Sequence, residues 1–114
     1  MQKDDAIYVG HMLDTAEKAV QHLEGITRDD YDRNEILQLA LVHLIQTLGE
    51  AARRVSVAFR QSHPEIPWAA IVGMRHRVVH DYLHVDFEIV WRVATGDLPP
   101  LIAQLRNVVP SGDG

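Results

Sequence analysis

"EILQLALVHLIQTLGEAARRVSVAFRQ", residues 35–61, decides the fold. It holds no proline, and its apolar residues recur three and four apart, the period of an α-helix. As one helix it would run about 27 residues, or about 40 Å at 1.5 Å per residue, which is long for a chain of 114 residues. Ile36, Ala40, Leu44, Leu48, Ala51 and Val55 form one apolar stripe, and Leu37, Leu41, Ile45 and Ala52 form another beside it. One stripe suffices to face a single core. The second predicts a partner subunit, most simply in a twofold homodimer.

Outward from this helix the pattern stays helical. Residues 4–23 place Ile7, Met12, Ala16, Ala19, Val20 and Leu23 on a helical period, with Asp4 or Asp5 as cap and Gly25 just past the end. "TRDDYDRNE" reads as a polar connection. On the other side "SHPEIPW" breaks the helix, because proline lacks a backbone donor and disfavours helix in the residue before it. A third helix starts at Trp68 and runs through Ile71, Val72, Met74, Val78 and Val79 to Asp81 or Tyr82. Asp86 caps a fourth, "FEIVWRVATG"; Gly96 and Asp97 end it and start "LPPLIAQLRNVV", whose prolines fall in the first turn. The tail "PSGDG", residues 110–114, is expected to fray, and no repeat, low-complexity run or alternating strand pattern is present. The expectation is an all-α, antiparallel four- to five-helix bundle, homodimeric, with residues 1–114 as a single domain.

Hydrophobic residues make up 46% and charged residues 24%, a globular composition. No apolar run approaches the roughly 20 residues of a membrane span, and "MQKDDAIYVG" lacks the order of a signal peptide, so a soluble, cytoplasmic protein is expected. The absence of cysteine removes disulfides and thiolate chemistry. Net charge is −5, but residues 1–50 carry 4 basic and 10 acidic side chains against 7 and 6 in residues 51–114. That balance argues against a general nucleic-acid binder, whose affinity comes largely from neutralising phosphates. It leaves room for a small basic cleft around Arg75 and Arg77. Arg53, Arg54 and Arg60 either reinforce it or form a solvated helix face, and the solvated face is favoured.

Chemistry concentrates in "MRHRVVHDYLHVD", residues 74–86. His76, His80 and His84 stand four apart, as metal ligands on one helix face do. Against a metal site, Arg77 occupies the place where H-E-x-x-H has its glutamate, and His84 falls past the helix end. No metal is therefore expected. Arg75, His80 and Tyr82 make a different set. Histidine exchanges a proton near neutral pH, so it can take one from an RNA 2′-hydroxyl or give one to a leaving oxygen. Arginine offers a fork of donors to the phosphate charge that grows in the transition state. On a continuous helix, however, five residues turn through about 500°, leaving Arg75 and His80 about 140° apart. Either the helix loosens between them or a second copy completes the cleft. A helix end rich in Arg and His also simply complements the macrodipole, and spacing alone leaves that alternative open. His43 reads as a core histidine, His11, His22 and His63 as surface residues, and Trp68 and Trp91 as packing anchors.

"MRHRVVHDY" contains R-x4-H-x-Y, and with "LIQTLGEAARRVS", "PEIPWAAIVGM" and "VDFEIVWRVATGDLPPL" around it the chain resembles the HepT-like (DUF86) family of HEPN-domain proteins over residues 4–108. The resemblance implies a HEPN bundle, a homodimer with its cleft at the interface, and an endoribonuclease toxin of a type VII-like prokaryotic toxin–antitoxin pair. Arg75 and His80 match the catalytic pair, and His76 the polar position after the arginine. Tyr82 matches the tyrosine that a minimal nucleotidyltransferase antitoxin modifies with AMP from ATP; the protein would need no cofactor of its own. Leu83 stands where an aromatic is expected. Glu50 and Asp81 are accessory candidates, Glu50 to orient His80 from the second helix; the residues suggest no role for Asp81. A different class stays open: a non-catalytic helical dimer that binds a nucleotidyltransferase partner or a nucleotide. RNA cleavage by the purified protein discriminates the two.

Overall fold

Two 20-residue helices carry the fold, α1 (Lys3–His22) and α3 (Glu35–Arg54). The computed structural model describes residues 3–81 and 84–109, with the backbone alone of Lys3, His80 and Asp81. Val9, Met12, Ala16 and Ala19 of α1 are buried, as are Leu41, Ile45, Leu48 and Ala52 of α3, which α1 packs against. Gly25 ends the first segment at φ +72°, a backbone conformation that glycine adopts without strain. α3 is the central element. Besides α1 it packs on α2 (Arg28–Asp32), α5 (Trp68–Val72), α6 (Met74–Val78) and α7 (Phe87–Arg92).

That position removes the argument for a second subunit from the paired stripes. Leu48, Ala51 and Val55 of one stripe and Leu41, Ile45 and Ala52 of the other are all buried within one chain. Of the described residues of α3, only Ile36 (83% exposed) and Leu39 (49%) present large apolar side chains to solvent.

The predicted 40 Å helix is also two helices. α3 stops at Arg54, Val55 is extended (φ −69°, ψ 137°), and α4 (Val57–Ser62) starts after Ser56. The Ser56 hydroxyl accepts from the Phe59 amide at 3.1 Å, an N-cap in mid-sequence. Asp5, buried in the first turn of α1, accepts from both the Ser56 amide and its hydroxyl at 2.7 Å. Apolar periodicity continues through the break, so nothing local in the hydrophobic pattern announces it.

The polar connection contains a helix too. Thr27 and Asp30 form a capping box, each side chain accepting from the other's amide, and α2 follows. Its Tyr31 is fully buried, its hydroxyl donating to the Phe87 carbonyl at 2.7 Å and its ring 5.0 Å from Trp91. Burial pushes the Tyr31 phenol up to about 12, since the phenolate would lose its hydration. Arg28 donates to Glu88 and to Asp32 (2.9 Å) and lies 5.6 Å over Trp91. The hydrogen bond Arg28 donates to Glu88, then the one it donates to Asp32, raises the guanidinium pKa, and Arg28 in turn lowers that of the Glu88 carboxyl.

The third predicted helix falls into pieces. α5 ends at Val72 with Gly73 as its C-cap, α6 ends at Val78, and Val79 is extended. Residues 79–81 (β1) pair antiparallel with residues 84–85 (β2), Val79 opposite Val85 and Asp81 opposite His84, with a bulge in β1. The Asp86 amide donates to the Val78 carbonyl at 2.7 Å, closing the hairpin onto the helix end. Asp86 then caps α7 as expected, accepting from Ile89 at 3.1 Å. Gly96 and Asp97 do not end that segment. The chain passes through a π-helical turn (Val93–Asp97) directly into α8 (Leu98–Val108), where Leu98, Leu101, Ile102 and Leu105 are buried. Pro99 and Pro100 withhold two amide donors here, and the wider turn accommodates their absence. Among the described residues no helix is long and apolar enough to cross a membrane.

Candidate active site

The cleft that carries the candidate chemistry begins at two glycines. A Cβ at Gly49 of α3 would lie 3.2 Å from the Ile71 carbonyl oxygen, so the missing side chain lets α5 approach α3. A Cβ at Gly73, between α5 and α6, would lie 3.2 Å from the Ala69 carbonyl. Both glycines line an open cavity of about 320 Å³. Around it stand Arg75 and His76 from α6, Glu50 and Arg53 from α3, and Arg60 from α4.

Each cation has a local reason for its place. Arg75 and His76 are exposed in the first turn of α6, while Met74 and Val78 anchor that helix in the core. Arg53 lies one turn beyond Gly49 on the same face and reaches Glu50 at 3.7 Å. Arg60 is half-buried and donates from Nε to the Val55 carbonyl at 3.2 Å. Three guanidinium groups against one carboxylate give the cleft a surplus of positive charge in a chain of net −5. Such a surplus selects an anion, and the planar forks suit phosphate oxygens.

Some sequence-predicted members are brought here and some are not. Glu50, Arg75 and His76 share the cleft. Arg77 turns away to Asp97 in the π-helical turn, 3.4 Å distant, because two residues on a helix are about 200° apart. Arg53 and Arg60 belong to the cleft rather than to a solvated face alone; Arg54 lies over the Tyr8 ring instead, 5.9 Å from its centroid. His80 is a β1 residue, and its side chain and that of Asp81 lie outside the described residues, as does the whole of Tyr82. Helix α6 ends between Arg75 and His80, so the 140° separation of a continuous helix does not apply. His76, His80 and His84 belong to three different elements, which removes the one-face arrangement considered for a metal. His43 is exposed, not a core residue. His63 is half-buried, its ring 4.5 Å from Phe59 and its carbonyl accepting from the Trp68 indole at 2.9 Å, while Trp68 itself is buried.

Pattern reading names Arg53 and Arg60 as reinforcements of the cleft but favours a solvated face for them, and it misses Gly49 and Gly73 altogether. The available signal was on α3: Gln46, Gly49, Glu50 and Arg53 follow the i, i+3, i+4, i+7 rule, a polar stripe with a small residue at its centre.

The sequence profile of the family described as "Ribonuclease HepT-like" matches residues 12–108. The chain belongs to that family. Its bundle is the all-α, HEPN-type fold of the family. "Probable ribonuclease HepT" of Thermococcus cleftensis is 30% identical over 100 residues, covering 84% of this chain and 91% of its own. "Putative RNase TTE0752" of Caldanaerobacter subterraneus subsp. tengcongensis is 29% identical over 102 residues, 90% of this chain and 91% of its own. "Gamma-glutamylcyclotransferase and putative RNase MJ0434" of Methanocaldococcus jannaschii is 30% identical over 113 residues, 99% of this chain and 51% of its own. No solved structure matches the chain. Family and relatives together point to a ribonuclease.

Proposed function

We propose that this protein is a metal-independent endoribonuclease and the toxin of a type VII-like toxin–antitoxin pair. The observation that carries the reading is the cleft of Arg53, Arg60 and Arg75 beside the R-x4-H segment, in a chain of the HepT-like family. The guanidinium groups bind the scissile phosphate and neutralise the charge that grows on its oxygens. His80 takes the proton of the adjacent 2′-hydroxyl as its oxygen attacks phosphorus. The bond to the 5′-oxygen breaks, that oxygen takes a proton from solvent while His80 gives the one it removed back to solvent, and a 2′,3′-cyclic phosphate remains. Glu50 and His76 tune the cleft, Glu50 by pairing with Arg53. A twofold homodimer that brings two clefts together is part of the proposal, as is a cytoplasmic RNA substrate.

Neutralisation is proposed to occur at Tyr82, on which a partner nucleotidyltransferase places AMP from ATP. An adenylate two residues from His80 adds bulk and a negative phosphate, which repels the RNA backbone and offers Arg75 an internal anion. The R-x4-H-x-Y order supports this.

RNA cleavage by purified protein tests the first part. Arg75→Ala and His80→Ala are each expected to lower the rate by about 10² or more, the scale of losing a charge stabiliser or a general base, with unchanged circular dichroism. Full activity in either variant overturns the assignment. Intact mass after incubation with ATP and the partner enzyme tests the second, with Tyr82→Phe expected to block the added mass. The acidic net charge favours one other reading, a non-catalytic module that binds its nucleotidyltransferase; it predicts tight complex formation without RNA cleavage.

A further inference from the structure

Glu50 lines not only the cleft but also a second, more open groove of about 430 Å³ between α1 and α3. Its other functional walls are Tyr8, His11, Asp14, Lys18 and Arg54. Here the Arg54 guanidinium lies 5.9 Å over the Tyr8 ring, and the His11 ring meets Tyr8 edge-on at 6.3 Å. The charge inventory differs from that of the cleft. Lys18 and Arg54 face Asp14 and the shared Glu50, so this groove has less surplus with which to select a phosphate than the cleft has. What it offers is planar surface plus carboxylate acceptors. Planar surface holds any nucleobase by stacking, and a carboxylate accepts from an exocyclic amino group, as on cytosine. Its volume falls in the range of small-ligand sites.

We propose that this groove is a nucleobase subsite. Resting on the ribonuclease reading, it divides the work: the Arg53, Arg60 and Arg75 cleft holds the scissile phosphate, and the neighbouring groove holds the base of a flanking nucleotide. The base stacks on the Tyr8–Arg54 pair and presents its amino edge to Asp14 or Glu50, the residue common to both cavities. Tyr8 and His11 precede the span matched by the family profile, so part of this surface comes from outside that span. The substrate class that follows is single-stranded RNA, because a base within a duplex has neither face free to stack.

The test is cleavage of a random-sequence single-stranded RNA pool, with the bases flanking the cut read by sequencing. Wild type is expected to prefer amino-bearing bases at one position beside the cut. Tyr8→Ala should reduce that discrimination by about fivefold to tenfold, on the scale of a lost stacking partner, and Tyr8→Phe should keep it. Asp14→Asn should change which base is preferred, since an amide both donates and accepts. Equal preferences in wild type and Tyr8→Ala, or no preference in wild type, overturn the subsite. If wild type cuts no RNA, the ribonuclease reading fails and the groove is judged by binding of uncleavable homopolymeric 2′-O-methyl oligonucleotides. Affinity that depends on the base and loses that dependence in Tyr8→Ala then sustains it. Base-independent or absent binding overturns it.

Discussion

At Gly49 a single methyl group would already make a tight contact. A Cβ there would stand 3.2 Å from the backbone oxygen of Ile71, which cannot swing aside as a side chain does. Gly49→Val is therefore expected to cost about 1–3 kcal/mol in chemical denaturation, the usual range for overpacking, and to lower Arg75-dependent cleavage with it. A second single-residue prediction concerns Tyr31. Its phenol is raised from an ordinary value of 10.0 to about 12 by burial, so its contribution to stability is complete below pH 10 and is lost as pH climbs toward 12. Phenolate absorbance during alkaline titration should show one tyrosine ionising late, and Tyr31→Phe should remove that late step. At this scale the sequence revealed only part of the site. Arg75 and His76 were legible because a short motif holds them. Arg53 and Arg60 were not, since a solvated arginine and a cleft arginine look alike until α4 and α6 are folded against α3.

The hinge between α3 and α4 is the element whose stability is most open to measurement. Ser56→Ala removes the hydroxyl that caps α4 and is expected to cost about 1 kcal/mol. Asp5→Ala leaves the Ser56 amide without its acceptor in a part-buried site and should cost about 1–3 kcal/mol. Because Asp5 and Ser56 touch, the double variant should fall short of the sum; additive losses would show that the two act separately. The same hinge explains where helix prediction failed. Residues 4–23 were readable because period and terminal glycine agree with Lys3–His22 almost to the residue, although Asp4 and Asp5 lie inside the first turn and not at its cap, the Asp5 carboxylate being engaged by Ser56. Residues 35–61 were misread because the stopping signal is a carboxylate 51 residues earlier in the chain. The end of α6 had a local sign, the β-branched pair Val78–Val79, but its closing hydrogen bond comes from Asp86 across the hairpin.

Over the whole molecule, charge is distributed against its own total. A chain of net −5 gathers three arginines around one cavity, so attraction for RNA should be short-ranged and strongly dependent on salt. If the three arginines reach the phosphates on either side of the scissile one as well, log K against log salt for single-stranded RNA should slope by about −2, and Arg60→Ala should flatten it by about 0.7. A slope unaffected by Arg60→Ala would place the RNA elsewhere. The clasp of Arg28 on Glu88 links α2 to α7, and it holds the Glu88 carboxyl below its ordinary value. Its contribution is thus present above the ordinary carboxylate range and fades as acid protonates Glu88. The interrupted helix has one more effect. With Val55 extended, its carbonyl leaves the helical ladder and accepts from Arg60 Nε at 3.2 Å. A straight helix would have spent that oxygen on its own backbone. The electrostatics of the cavity are therefore set in part by uncharged atoms, and a neutral substitution that straightens residues 54–57 would detune RNA affinity while leaving every ionisable group of the protein in place.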